Sequence, residues 1–185
     1  MKTVIISRQG EASENYESFL KLVKQKNINV LQVKAGDRIR IDKYVYFDIL
    51  FPEENLIKEN VLNNNSIVAK LVYKNFSVLF TGDIEEIAER RILERYSNTK
   101  KLNATILKVA HHGSKSSSTI EFLSVVSPRI ALIGVGKNNN FGHPDAYVIE
   151  RLEDIKTKIY RTDENGEISF EINKRQEILI SNMIN

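Results

Sequence analysis

Short apolar runs alternate with amphipathic segments over most of this chain, a pattern that predicts strands alternating with helices. Residues 3–7 and 28–33 are apolar runs of strand length. Between them, the segment that follows Ser13 repeats apolar residues three and four positions apart as far as Val23, which predicts an amphipathic helix. The chain therefore opens with a predicted strand–helix–strand unit.

The middle of the chain is predicted to be rich in antiparallel strands. Residues 38–51 have the composition of two strands with a break between them. Residues 66–73 and 76–81 flank a polar turn at Lys74 and are predicted to form a hairpin. The acidic, irregular stretch at residues 53–65 is predicted to be a loop.

After this region, helices and strands alternate again. A helix that begins at Asp83 has one apolar stripe, and its charged residues, Glu89 among them, are predicted to face water. The next predicted elements are a strand at 104–110, a helix at 118–126, a strand at 129–135 and a helix at 145–152. Residues 158–161 and 167–172 are predicted to pair as a hairpin, with Asn165-Gly166 as its tight turn.

These elements predict one α/β domain with a mixed sheet over residues 1–173, followed by a tail or weak final element at 174–185. The 185 residues are 42% apolar and 28% charged, which argues against disorder. No apolar run approaches the ~18–20 residues of a membrane span, so we expect a soluble chain. The net charge of +3 permits an anionic partner without requiring one.

The candidate chemistry lies where predicted strands end. The chain has no cysteine, so any metal ligands must be His, Asp or Glu. Asp83 follows a buried strand and could bridge two cations through its two carboxylate oxygens. The alternative is that Asp83 is a helix cap, because Glu86 three residues later completes the pattern of a capping box.

The chain holds three histidines, and two of them are adjacent. His111 and His112 could serve one site only if the strand has already ended, which Gly113 makes plausible. The alternative is a pair of strand-end histidines bonded to backbone carbonyls. The third, His143, precedes a predicted helix and is a candidate acid–base or substrate-positioning group, or else a surface loop residue.

Three polar residues are candidates for contact with a substrate. Ser114 and Lys115 begin a polar loop that runs into a predicted helix and offers donors suited to an anion. Asn65 belongs to a polar turn from which one amide could point at the site.

Taken in order, these segments closely resemble the C-terminal domain of ComEC-type competence proteins, which is a member of the metallo-β-lactamase superfamily. The resemblance covers residues 3–172. The segments that carry it are Asn63-x-x-Ser66, Leu79-Phe80-Thr81-Gly82-Asp83, Leu107-Lys108-Val109-Ala110-His111-His112-Gly113-Ser114, Gly142-His143-Pro144 and Arg161-Thr162-Asp163-Glu164-Asn165-Gly166. The resemblance implies an αββα sandwich with mixed sheets and a two-metal phosphodiesterase or nuclease site.

The resemblance assigns roles to several residues and also shows a gap. Asp83 matches the bridging metal carboxylate, His111 or His112 matches a late histidine ligand, and His143 matches a histidine near the cleft. The His-x-His/Asp-x-Asp-His segment of the superfamily is absent from the sequence, so we expect an N-terminally truncated domain. Such a chain would hold a divalent metal, Zn²⁺ or Mn²⁺, weakly or not at all, and would have little activity alone.

The resemblance also implies partners and a location. We expect single-stranded DNA to bind through its phosphates, and we expect the parent protein to be a bacterial membrane channel with this domain on the outer side. Missing strands would leave a free sheet edge and favour self-association. The alternatives are a non-catalytic DNA-binding or structural domain of the channel, or another superfamily hydrolase such as a phosphocholine esterase.

Overall fold

The computed structural model describes residues 2–8, 13–173, 175 and 177–183. Its centre is a seven-stranded sheet in which the strands lie side by side in chain order. The strands are β3 (Arg38–Arg40), β4 (Val45–Phe51), β5 (Val68–Tyr73), β6 (Phe76–Phe80), β7 (Ile106–Lys108), β8 (Ile130–Ile133) and β9 (Lys158–Arg161). The strands from β3 to β6 pair antiparallel, and those from β6 to β9 pair parallel. The predicted mixed sheet and the hairpin at residues 66–81 are confirmed.

Two small sheets accompany the central one. Strands β1 (Thr3–Ser7) and β2 (Asn29–Val33) pair in parallel and are joined by helix α1 (Glu14–Gln25), which confirms the predicted opening unit. Strands β10 (Glu167–Ile172) and β11 (Ile178–Met183) pair antiparallel. The described part of residues 174–185 therefore forms a strand, while residues 174, 176, 184 and 185 lie outside the described residues.

The core follows from the alternation of side chains along the central strands. On one face Leu79, Leu107 and Ala131 pack against helices α3 (Glu86–Tyr96), α4 (Ile120–Val126) and α5 (Ala146–Asp154). On the opposite face, the preceding residue of each strand joins a cluster that includes apolar residues of β10 and β11. These residues are Val78, Ile106 and Ile130. The central sheet is thus covered by helices on one face and by strands on the other.

Four local predictions were wrong. Residues 158–161 and 167–172 do not pair, because Thr162–Asn165 forms a helical turn, α6, and β10 joins a different sheet from β9. The Asn165 side chain accepts a hydrogen bond from the Arg161 backbone N–H at 2.9 Å, and this bond closes the turn. Gly166 does have the predicted positive φ, but it follows a helical turn.

The other three errors concern helices. The loop predicted at residues 53–65 contains a short helix, α2 (Val61–Asn64). Helix α3 begins at Glu86 with Glu85 as its N-cap, so Asp83 lies outside the helix and the predicted capping box is wrong. Glu89, predicted to face water, is fully buried. Among the described helices, none combines the length and the apolar character needed to cross a membrane.

Candidate metal centre

Asp83 lies just after the end of β6 and is held in place by contacts with neighbouring segments of the chain. The Thr81 hydroxyl donates to the Lys108 backbone carbonyl at 2.6 Å, which ties the ends of β6 and β7 together. The Asp83 backbone N–H donates to Ser66 Oγ at 3.2 Å. Gly82 has φ +59°, and a Cβ there would lie 2.6 Å from Ser66 Cβ. The Thr-Gly-Asp sequence therefore turns the carboxylate out of the sheet at a place where only glycine fits.

The two adjacent histidines lie in a tight turn after β7, at Ala110–Gly113. Both have left-handed backbone conformations, with φ +47° at His111 and +55° at His112. Since the strand has ended, the alternation that would point them to opposite faces no longer applies. Gly113, with φ +82°, lies against Pro144, and its carbonyl accepts a hydrogen bond from the Asp145 N–H at 2.9 Å.

His112 is oriented as a metal ligand would be. Its Nδ1–H donates to the Gly134 carbonyl at 2.6 Å, because a carbonyl oxygen can only accept. In the neutral ring this leaves a lone pair on Nε2, which faces Asp83 Oδ1 at 3.9 Å. Two ligands of a tetrahedral zinc ion lie ~3.4 Å apart, so the pair is spaced almost as ligands of one cation. Both side chains are partly exposed, which leaves this gap open to solvent.

A second carboxylate–imidazole pair lies next to the first. His111 Nδ1 is buried and has no hydrogen-bond partner, and its nearest carboxylate oxygen is Glu85 Oε1 at 3.7 Å. A buried ring nitrogen without a partner is unfavourable unless a proton or cation occupies the gap. Glu85 was not among the candidates predicted from the sequence. It belongs to a run of charged residues that was predicted to form the solvent-facing side of a helix.

A polar network fixes Glu85 in place. Ser116 Oγ donates its hydrogen to Glu85 Oε1 at 3.2 Å. It also lies 3.0 Å from Ser114 Oγ, and because its own hydrogen is already used, Ser114 is the donor in that contact. Asn64 binds Glu85 twice, through its side-chain N–H₂ and its side-chain oxygen, each at 3.1 Å. Ser114 is nearly buried, so in this structure it positions Glu85 through Ser116 and has little surface of its own.

His143 joins the cluster from the loop before α5. Its ring lies edge-on to the ring of His111 with centroids 5.9 Å apart. Partial burial lowers the pKa of His143, the neighbouring imidazoles of His111 and His112 disfavour its protonation further, and Asp145 opposes both effects. The structure thus gathers all three histidines at one end of the central sheet.

Lys108 is a further residue of the site and was not among the candidates predicted from the sequence. Its side chain is partly buried at the end of β7, and Nζ donates to the Val109 carbonyl at 3.2 Å. Burial lowers its pKa, and the Asp83 carboxylate opposes that shift. The signal that could have found it is its position, three residues before His111 on a strand that ends at the site.

The remaining sequence candidates occupy different positions. Lys115 is exposed beside the histidine turn. Asn65 is completely buried, its oxygen accepts from the Ile57 N–H at 2.9 Å, and its N–H₂ group donates to the carbonyls of Ile57 and Val61. Asn65 therefore braces the loop before β5 and presents no surface to a substrate, contrary to the expectation.

The donor set has the chemistry of a divalent-metal site, with imidazole nitrogens and carboxylate oxygens that suit Zn²⁺ or Mn²⁺. Over the part of the chain that the structure describes, however, no three His, Asp or Glu side chains are grouped closely enough to hold a metal ion. The described residues therefore supply two pairs of donors, where a zinc site takes three or four protein ligands.

Comparisons with known proteins identify the relatives of the chain. Over 175 residues, or 95% of its length, it is 32% identical to ComE operon protein 3 of Bacillus subtilis. It is 33% identical over 68% of its length to competence protein ComA of Neisseria gonorrhoeae. It is also 32% identical over 67% of its length to recombination protein 2 of Haemophilus influenzae. The chain is homologous to ComEC-type competence proteins. This homology confirms the resemblance read from the sequence.

The chain spans 22%, 18% and 15% of the length of these three relatives, respectively. No protein-family model matches it. A solved structure from Parabacteroides distasonis, a protein assigned as a metal-dependent hydrolase, superimposes with a TM-score of 0.50 at 15% identity, covering 86% of this chain and 76% of that one. The likeness is one of fold, and together with the mixed central sheet it confirms the predicted α/β class with mixed sheets.

Proposed function

We propose that this chain provides part of a divalent-metal phosphodiesterase site in a competence-related DNA-uptake protein, and that it has little hydrolytic activity alone. The observation that carries the proposal is the Asp83–His112 pair. The imidazole is already fixed in the ligand tautomer by the Gly134 carbonyl, and its free nitrogen faces a carboxylate oxygen at 3.9 Å. The homology to competence proteins supports DNA as the substrate class.

The side chains around this pair have complementary roles in the proposal. Asp83 and His112 would hold one cation, and Glu85 with His111 would contribute to a second. A divalent cation supplies Lewis acidity toward a phosphodiester and lowers the pKa of water bound to it. Lys108 and Lys115 would attract the phosphate, and His143 would transfer a proton or position the strand.

The low number of donors accounts for the expected lack of activity. Each described pair offers two ligands, so a tightly held metal needs at least one more from outside these pairs. We propose that those ligands come from another part of a longer protein, consistent with relatives of which this chain spans about a fifth. Zn²⁺ and Mn²⁺ remain the candidates, because both accept imidazole with carboxylate.

The test measures how metal changes binding of single-stranded DNA to the chain. Fluorescence anisotropy of a labelled oligonucleotide is recorded in EDTA and then with Mn²⁺ or Zn²⁺. The same samples are examined for cleavage on gels. We expect metal to strengthen binding, with no more than trace cleavage, because a cation held by Asp83 and His112 would attract a phosphate.

Two substitutions make this test specific. Asp83→Asn should remove the metal-dependent part of the binding, whereas Asp42→Asn, at an exposed aspartate in the loop between β3 and β4, should retain it. Equal binding with and without metal in the wild type would contradict the proposal. Efficient metal-dependent cleavage by the chain would contradict its expected inactivity.

A second candidate is a DNA-binding module without hydrolytic function. The observation that favours it is the lack of any group of three potential metal ligands among the described residues. Such a module would bind single strands as tightly in EDTA as with added metal. Its affinity would fall as the salt concentration rises, because lysines that contact phosphates displace counterions. Asp83→Asn would then leave binding unchanged or strengthen it.

The proposed setting comes from the relatives. We propose that the parent protein lies in the bacterial cell membrane with this domain on its outer side, in contact with incoming DNA. We further propose that isolated copies associate through the β1–β2 sheet, whose two strands pair with no further strand among the described residues. Ile5 and Leu31, which are paired across that sheet, are 40% and 42% exposed.

A further inference from the structure

Phe141 is the most exposed of the large apolar side chains in the part of the chain that the structure describes, at 81%. An isolated apolar residue on a surface needs no explanation by itself. Phe141 differs because its ring stacks on the ring of His143, with centroids 5.9 Å apart and planes 19° from parallel. It thus stands at the rim of the histidine cluster.

The loop that carries Phe141 is held by one side chain. The Asn139 oxygen accepts from the backbone N–H groups of Phe141 at 3.1 Å and of His143 at 3.0 Å. Its N–H₂ group donates to the carbonyls of Gly136 at 3.0 Å and of His143 at 2.7 Å. Four hydrogen bonds from one amide fix the backbone on both sides of Phe141, so the exposed ring is held in a defined place.

A pocket of about 310 Å³ opens beside this ring. Its lining combines apolar surface, glycine backbone and the two imidazoles, and consists mainly of His112, Gly134, Val135, Gly136, Phe141 and His143. A Cβ at Gly134 or Gly136 would meet nothing within 4 Å, so these glycines leave open space. The volume lies at the lower end of the ~300–1,000 Å³ of small-molecule pockets, which suits one flat ring.

We propose that this pocket receives one unstacked base of a single-stranded nucleic acid and that Phe141 is its stacking platform. The inference rests on the proposed function. In that proposal the phosphate binds at the cluster of histidines and carboxylates, and here the base of the same nucleotide binds in the pocket. His112 and His143 belong both to the pocket and to the polar cluster, so a base in the pocket places its own phosphate beside the cluster. Stacking on an aromatic ring tolerates any of the bases, because each has a flat π-face, and a site that acts on DNA of any sequence needs this tolerance.

The surroundings of Phe141 favour a base over a quaternary ammonium group such as choline. A trimethylammonium ion is bound by several aromatic faces arranged as a cage, often with a carboxylate nearby. The described residues that line this pocket provide one phenyl ring and two imidazoles, and none of them carries a carboxylate. A flat ring, in contrast, needs one platform and an apolar slot.

The test compares a short thymidine oligonucleotide with a strand of equal length and charge whose sites are all abasic. Anisotropy is measured in EDTA at fixed salt, so that the outcome does not depend on metal. We expect the wild type to bind the ordinary strand about tenfold more tightly than the abasic one, the effect of one base stacked on an aromatic ring. Phe141→Ala should remove that preference and leave abasic binding unchanged.

Two variants complete the design. Phe141→Trp should restore the preference, and Tyr44→Ala, which removes a 51% exposed aromatic ring from another loop, should not alter it. An unchanged preference in Phe141→Ala, or no preference or no binding in the wild type, would overturn the inference. The metal effect assigned to Asp83 is measured separately and does not involve Phe141, so failure here is distinct from failure of the proposed function. Competition by choline phosphate that depends on Phe141 would also overturn the inference in favour of a choline site.

Discussion

At the residue scale, the clearest departure from a simple amphipathic pattern is Glu89, a fully buried carboxyl group on α3. It accepts hydrogen bonds from the backbone N–H groups of Ser118 and Thr119 and from the Thr119 hydroxyl. Burial raises its pKa to about 7, while these bonds and the positive charge of Arg151 lower it. Glu89 therefore links α3 to the start of α4, directly after the loop that carries Ser114 and Ser116.

The raised pKa of Glu89 predicts a pH dependence of stability. Between pH 4.5, the ordinary pKa, and pH 7, the folded chain keeps a proton that the unfolded chain has lost. The contribution of this proton to the free energy of unfolding is fully present below pH 4.5 and is lost as the pH rises to about 7. The total loss is at most roughly 3 kcal/mol.

The measurement is the free energy of unfolding in urea at several pH values, for the wild type and for Glu89→Gln, which cannot ionise. Taking the difference between the two proteins cancels the contributions of the other titrating groups. As the pH rises from 4.5 to 7, the free energy of unfolding of the wild type should fall relative to that of Glu89→Gln. A difference that is flat or moves the other way across that range would show that Glu89 is not protonated in the fold.

At the element scale, the histidine turn depends on the fit of one glycine. Gly113 has φ +82°, and a Cβ there would lie 2.6 Å from Pro144 Cβ. Gly113→Ala should therefore lower the free energy of unfolding by ~2–4 kcal/mol, because the left-handed backbone and the contact are both unfavourable for alanine. Gly136→Ala, where a Cβ meets nothing within 4 Å, should change stability by no more than ~0.5 kcal/mol.

Urea unfolding of both variants checks this prediction, and similar effects at the two positions would refute it. A second readout is the ring resonances of His111 and His143 in NMR spectra. These should shift in Gly113→Ala, since the turn and the loop before α5 separate, and should stay in place in Gly136→Ala.

The elements differ in how far their own sequence determines them. The hairpin at residues 66–81 and the opening strand–helix–strand unit have local patterns that agree with the fold, and both were predicted. The segment around Asn165-Gly166 has a hairpin-like pattern, yet tertiary packing places its two flanking strands in different sheets. Sequence pattern cannot distinguish these outcomes, because the choice depends on which apolar surface each strand covers.

The same contrast applies to the candidate site. Asp83 and the two adjacent histidines were found from their positions at predicted strand ends, and His143 from its position before a predicted helix. Glu85 was missed because its role arises from contacts with Asn64 and His111, which are distant in sequence. Asn65 was assigned to the substrate because a polar residue in a turn is usually exposed, whereas here its amide satisfies buried backbone groups.

At the scale of the whole molecule, the β1–β2 sheet predicts self-association. It has two strands, and Ile5 and Leu31 are partly exposed on it. Light scattering over a range of concentrations should show dimers or larger species, and Leu31→Lys should shift them toward monomer because an edge lysine opposes strand pairing. Leu22→Lys, on helix α1, is the matched control and should have no such effect. A wild type that stays monomeric at every concentration would contradict the prediction.

The central claim is that Asp83 and His112 hold a divalent cation, and metal stoichiometry tests it most directly. Purified chain is brought to dialysis equilibrium with graded concentrations of Mn²⁺ or Zn²⁺ and its bound metal is measured, beside Asp83→Asn, His112→Ala and the control Asp42→Asn. We expect metal bound to the wild type and the control at up to one ion per chain, with affinity reduced at least ~10-fold in the other two. Equal metal in all four proteins, or none in any, would contradict the claim.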